Sequence, residues 1–314
     1  MNRTRLANLI GIAVGVLGLA FVALRIVRDR EEISDALSSS DPIWLVAAAI
    51  SGLAAMALLG VNWLLIVRRG GARAPWRRGM YWFFVGQLGK YVPGGIWPIV
   101  GQAELAHRDR TPRPVAYWST AMSMVATLLG AVAVGAASGL IAPAGSRIVP
   151  ILLAVGLAGG LAALASDRVR RSLHRLADRV TTRELRLPDA GWFAVLIVRY
   201  LPVWVVFSGM NIFSVVALGG TLDAELVITL ISITCVSWIA GFVIIGLPGG
   251  LGVREAVFIS MATAPLGAGL AVSVAVVSRI ISVAVDLLGA AISVPVGRTA
   301  PPIEHETPTS YAAP

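Results

Sequence analysis

A single cysteine, Cys235, occurs in the chain, which excludes an intrachain disulfide and any cluster of thiolate ligands. The three histidines, His107, His174 and His305, are too scattered to supply metal ligands at a useful spacing. Charge is also scarce. Asp, Glu, Lys and Arg together make up 14% of the residues, against about 25% in an ordinary soluble domain. Nucleotide motifs are missing: G-Q-L-G-K around Lys90 lacks the gap and the Ser/Thr of a phosphate-binding loop, and G-L-G-V-R-E lacks the third glycine of a dinucleotide fold. We therefore expect no cofactor, no metal and no enzyme activity.

Apolar residues fill the space that charge leaves. They reach 57% of the chain, compared with roughly 45–50% in soluble domains. They fall in runs near the length of about 20 residues needed to cross a hydrocarbon core. Backbone groups in lipid must be hydrogen-bonded internally, so such runs become helices. The expected fold is all-α, a polytopic transmembrane bundle of about seven full spans. These are Leu6–Leu24, Ile43–Val67, Val115–Ile141, Ile148–Ala165, Trp192–Leu218, Leu226–Leu247 and Ala268–Val296. The first is too long for a signal core and is followed by Arg25 and Arg28, which mark it as a retained span. Trp44, Trp63, Trp118 and Trp192 sit near span ends, where interface anchors are common. One membrane domain covers residues 1–298, and the proline- and threonine-rich tail, 299–314, is expected to be disordered.

The net charge of +9 is spread between apolar runs, so it signals topology and lipid contact and no nucleic acid. Arg68, Arg69, Arg73, Arg77 and Arg78 follow the second span. A second cluster from Arg168 to Arg186 fills the loop 166–188. Both belong in the cytoplasm by the positive-inside rule, which also places the N-terminus there, in a multi-pass protein of the plasma membrane. Within that loop Val169, Leu173, Leu176 and Val180 recur at helical spacing, as in an interfacial amphipathic helix.

Two stretches break the pattern. Met80 to Gln102 contains Lys90 and Pro93-Gly94-Gly95, and lies between two arginine-rich segments, so it is expected to enter the membrane and return. The second break, Pro248-Gly249-Gly250-Leu251-Gly252, precedes a short apolar stretch from Val253 to Ala264. Non-helical backbone at membrane depth is tolerated only inside protein or beside a wet cavity. Both breaks lead to a glutamate, Glu104 and Glu255, which points to an internal repeat with its site at the repeat interface. Gly249, Gly250 and Gly252 allow positive φ, and the helix that follows would offer free N–H groups, with Arg254 in its first turn. That pattern suits a phosphate; the alternative is a glycine turn and nothing more.

Ionisable groups within spans are costly and mark function or pairing. Arg279 and Asp286, seven residues apart, share a helical face at a separation of about 10.5 Å, too far to pair directly. Arg199 precedes Pro202, where either a kink opens backbone carbonyls or the side chain snorkels to the interface.

The segments GKYVPGGIWPIVGQAE and LPGGLGVREAVF, with Arg279 in the following span, resemble the integral membrane region of lysylphosphatidylglycerol synthases and its stand-alone flippase-like relatives. The resemblance extends over nearly the whole chain. It implies a bundle with two re-entrant regions that moves lipids or lipid-linked intermediates between leaflets. Lysyl-transferring members add a large soluble transferase domain, and the sequence after Arg298 offers none, so lysyl transfer is not expected. The first motif also departs from the family: Gly101-Gln102-Ala103-Glu104 replaces the usual Gly-Glu pair.

The expected function is therefore a flippase-like lipid transporter. Gly249, Gly250, Gly252, Arg254 and Glu255 would bind the head group; Lys90, Pro93, Gly94, Gly95, Glu104, Arg279 and Asp286 would line the polar path. Its partners would be membrane lipids, an anionic phospholipid or a polyprenyl phosphate among them. Two other readings stay open: a non-transporting subunit that presents a lipid carrier to envelope-assembly enzymes, and a glycosyltransferase using polyprenyl-linked sugars.

Overall fold

The computed structural model describes residues 38, 40–92, 96–142, 147–165, 190–243, 250 and 252–298. Among these residues there are nine α-helices and one 3-10 turn, and no strand. In chain order they are α1 (Pro42–Arg69), α2 (Trp76–Gln87), the 3-10 turn Leu88–Tyr91, α3 (Trp97–Arg108), α4 (Arg113–Ile141), α5 (Ile148–Ala165), α6 (Ala190–Ala217), α7 (Ala224–Val243), α8 (Val253–Leu266) and α9 (Ala268–Arg298). Five of the described helices, α1, α4, α6, α7 and α9, are long and apolar enough to cross a membrane. The protein is a multi-pass membrane helix bundle. Helix α5 forms over the range expected from its sequence, but its described apolar part, Ile148–Gly159, is shorter than the other five. The expected first span, the amphipathic stretch from Val169 to Val180, the tail, and Pro93, Gly94, Gly95 and Gly249 lie outside the described residues.

Helix α1 shows how local chemistry sets the boundaries. The Asp41 carboxylate accepts the Ile43 N–H at 2.9 Å, and Pro42 occupies the first turn, where no N–H is needed. Arg68 and Arg69 close the helix at its negative end. Along its length α1 packs on α6 through small and polar groups. Gly52 lies against Met210, the Ser51 hydroxyl donates to the Val206 carbonyl at 2.5 Å, and Asn62 Nδ2 donates to the Arg199 carbonyl at 2.9 Å. In lipid, where apolar faces gain little from leaving the solvent, such close approach and hydrogen bonding hold helices together. The Arg199 carbonyl, three residues before Pro202, accepts from Asn62, and the exposed Arg199 side chain turns back to donate from Nε to Asn62 Oδ1 at 3.3 Å.

One anchor expectation is corrected. Trp63 is fully buried, packs edge-on against Trp82 and donates its indole N–H to the Thr120 hydroxyl at 3.0 Å. It is core, because α2 and α4 cover the face it presents. Trp44, at the start of α1, is exposed and stacks on Phe213.

The two broken segments form two helical hairpins, in which α2 packs on α3 and α7 packs on α8. Each closes where glycines let the arms touch. A Cβ on Gly101 would lie 3.2 Å from the Gly86 Cα, and one on Gly250 would lie 2.9 Å from the Gly241 Cα. Gly250 also has φ +70, a conformation costly for any residue with a Cβ. Helix α9 touches α1, α2, α6, α8 and the 3-10 turn, so it reaches both hairpins.

Candidate functional site

Helix α9 carries Arg279 and Asp286 two turns apart, and each meets a different hairpin. Lys90, in the 3-10 turn that ends the first arm of hairpin one, places Nζ 2.7 Å from Asp286 Oδ2. The Tyr91 hydroxyl donates to the same carboxylate oxygen. Asp286 is 1% exposed, so both hydrogen-bond donors matter: a buried carboxylate without partners would be costly. On the other hairpin, Glu255 in the first turn of α8 forms an ion pair with Arg279, Oε1 to Nε at 3.5 Å, and accepts from the Gly252 N–H at 2.7 Å with its other oxygen. Each hairpin is thus tied to α9 by one carboxylate and one cation.

Between them lies a cavity of about 480 Å3, with walls from α1, α2, the 3-10 turn, α3, α4, α6, α7, α8 and α9. Lys90, Arg254, Arg279 and Asp286 face it, as does Gly250. The rest of the wall is largely apolar. On it Trp204, Phe207, Trp238 and Phe242 form a continuous aromatic cluster, with Trp238 and Phe242 stacked at 4.8 Å and Trp204 edge-on to Phe207 and Trp238. Arg254 lies over the Phe207 ring, its guanidinium carbon 5.1 Å from the ring centroid. A space of this volume, mostly apolar with a few convergent charged groups, has the character of a ligand site.

The structure brings together Lys90, Gly250, Arg254, Arg279 and Asp286, with Glu255 beside a small hollow that adjoins Arg254 and Arg279. Two expectations change. At the N-terminus of α8 one donor is already taken, because Glu255 accepts the N–H of the cap residue Gly252; the chain supplies its own anion there. Gly252 itself is exposed and outside the cavity lining. Glu104 does not reach the cavity either. It accepts from Arg113 and from the Tyr117 hydroxyl, both at 3.1 Å, at the opening of α4. Burial alone would raise its carboxyl, but these two hydrogen bonds outweigh that and hold it below the ordinary carboxylate range. Within Gly101-Gln102-Ala103-Glu104 it is Gln102, 2% exposed, that faces the cavity. Two residues on a helix turn the side chain through about 200°, which puts Glu104 on the opposite face.

Phe207 and the aromatic wall carry no sequence signal of a site. Tyr91 stands next to Lys90 at the Pro-Gly-Gly break, which was the one available hint; its partner is 195 positions away. Apolar aromatics in a span read as packing.

The family model described as the lysylphosphatidylglycerol synthase TM region matches residues 8–290. The chain belongs to that family. The match takes in both hairpins and the whole charged face of α9, so the residues of this site fall inside the region that defines the lysylphosphatidylglycerol synthase membrane family. No curated protein matches the chain.

Proposed function

We propose that this family member is a flippase-like lipid transporter of the plasma membrane, and no enzyme, that carries the polar head of a phospholipid or lipid-linked intermediate between leaflets through the cavity while the tail stays in lipid. The observation that supports this reading is the gathering of Lys90, Arg254, Arg279 and Asp286 around a largely apolar cavity framed by two broken hairpins. Charged groups in a membrane bundle are costly and are kept where a polar ligand must pass. Broken helical segments from two parts of a chain, meeting at one site, are a recurrent design of membrane transporters. In this reading Leu6–Leu24 and α5 complete about seven spans, the hairpins form a repeat, and the N-terminus and loop 166–188 face the cytoplasm.

The test is reconstitution of the purified full chain into vesicles holding fluorescent phospholipids, with dithionite added outside to bleach the exposed leaflet. A transporter exposes inner-leaflet label to bleaching, so fluorescence falls well below the half that protein-free vesicles retain. Retention at half, with lipid still bound to the purified protein, would favour a subunit that presents a lipid carrier without moving it.

A further inference from the structure

Among the described residues the charges around the cavity do not cancel. Lys90, Arg254 and Arg279 stand against two carboxylates, Asp286 and Glu255. Asp286 is committed to Lys90 and Tyr91, and Glu255 to Arg279 and the Gly252 N–H. Among the described residues Arg254 forms no ion pair; its contact is the face of Phe207. The difference matters chemically. A carboxylate would both aim a guanidinium and neutralise it, whereas a ring face aims it and leaves the charge in place. A surplus positive charge beside apolar walls is unfavourable until a ligand brings the opposite sign.

We infer that the cavity is an anion site in which Arg254 holds the phosphate of an anionic lipid and Phe207 is the positioning residue that keeps the guanidinium aimed at it. This rests on the lipid reading above and adds the sign of the head group. The planar guanidinium can give two parallel N–H donors to two phosphate oxygens. The aromatic wall of Trp204, Trp238 and Phe242 beside it accepts the first carbons of a tail, so a lipid phosphate fits better than a free one. A head group carrying an added amine finds both carboxylates already paired and meets the surplus positive charge.

The test is native mass spectrometry of the full chain in detergent, titrated separately with phosphatidylglycerol, a polyprenyl phosphate, phosphatidylcholine, lysyl-phosphatidylglycerol and inorganic phosphate. The two anionic lipids should be retained most strongly, and inorganic phosphate should not be retained at matching concentrations. Arg254→Gln should weaken both anionic lipids by roughly ten- to a hundredfold, the loss of a charge-assisted hydrogen bond. Arg254→Lys should fall between, since an ammonium keeps the charge and loses the fork. Phe207→Leu should weaken the same lipids by a smaller factor, and Phe207→Tyr should restore them, with thermal unfolding of each variant run alongside. Where Arg254→Gln does not fold, Arg254→Lys and the two Phe207 variants carry the test. Equal retention of anionic lipids by wild type and the folded Arg254 variants would overturn the inference, as would stronger retention of lysyl-phosphatidylglycerol than of phosphatidylglycerol. Inorganic phosphate bound as tightly as the lipids would overturn the lipid assignment. Anionic lipids bound as described but never transferred in vesicles would sink the transport reading and leave the anion site standing.

Discussion

Lys90 and Asp286 meet at 2.7 Å across 196 positions of sequence, joining the tip of the first broken hairpin to the middle of the last helix. With Asp286 almost wholly buried and Lys90 mostly so, the pair fixes the hairpin more than it stabilises the fold. Taking two charges out of water costs about as much as their attraction returns, whereas removing one partner strands the other. Asp286→Asn should therefore destabilise the protein by about 3 kcal/mol. The double variant Lys90→Met/Asp286→Leu should recover most of that loss. Thermal unfolding in detergent reads both, and a double variant as unstable as the single would mean the pair is not isolated in this way.

Gly250 and Gly252 separate two costs of a glycine turn. Both have positive φ, but a Cβ at Gly252 meets nothing within 4 Å, while one at Gly250 meets the Gly241 backbone. Gly252→Ala should cost about 1–2 kcal/mol, the penalty of a left-handed conformation alone. Gly250→Ala should cost more, and Gly250→Val should fail to give folded protein, because two backbones would have to separate. Equal midpoints for the two alanine variants would contradict the close approach.

Much of this was readable in the sequence. Runs of apolar residues marked α1, α4, α6, α7 and α9, because span length is dictated by the bilayer and not by tertiary detail. The Pro-Gly-Gly breaks marked the two hairpins, since proline and glycine interrupt helices wherever they occur. The partners of the charged residues were not readable. Arg279 and Asp286 were placed on one face by spacing, yet which hairpin each would meet depends on contacts between distant segments. Glu104 was misplaced for a similar reason: the residue type was right for a polar path, but the rotation of α3 about its axis is set by the packing of Gly101 on Gly86. The surplus charge at Arg254 is likewise a product of tertiary pairing, because Asp286 and Glu255 are engaged by Lys90 and Arg279.

That rotation gives a direct contrast within one motif. Gln102→Glu adds a negative charge to the cavity wall and should weaken retention of phosphatidylglycerol by roughly tenfold, a like-charge effect of about 1.4 kcal/mol. Glu104→Gln changes a group that pairs with Arg113 outside the cavity and should leave retention unchanged. Native mass spectrometry on the two variants checks this; a loss in Glu104→Gln alone would put the wrong face of α3 at the cavity.

Orientation is open to labelling. The arginine cluster between Arg168 and Arg186 should face the cytoplasm. Single cysteines placed there in a Cys235→Ser background should resist impermeant thiol reagents in intact cells and react after permeabilisation. Cys235 is buried in α7, so its removal serves to keep the background silent. Labelling in intact cells would reverse the orientation.

The account turns on the cavity being the path of the head group, and the most direct measurement is lipid transfer in vesicles with that path obstructed. Met124 faces the cavity from α4, whereas its neighbour Val125 is 41% exposed and does not line it. Met124→Trp should reconstitute normally and lose most of the transfer seen with wild type, and Val125→Trp should transfer as wild type does. Undiminished transfer through a folded Met124→Trp protein would contradict the central claim, since the lipid would then be moving by another route.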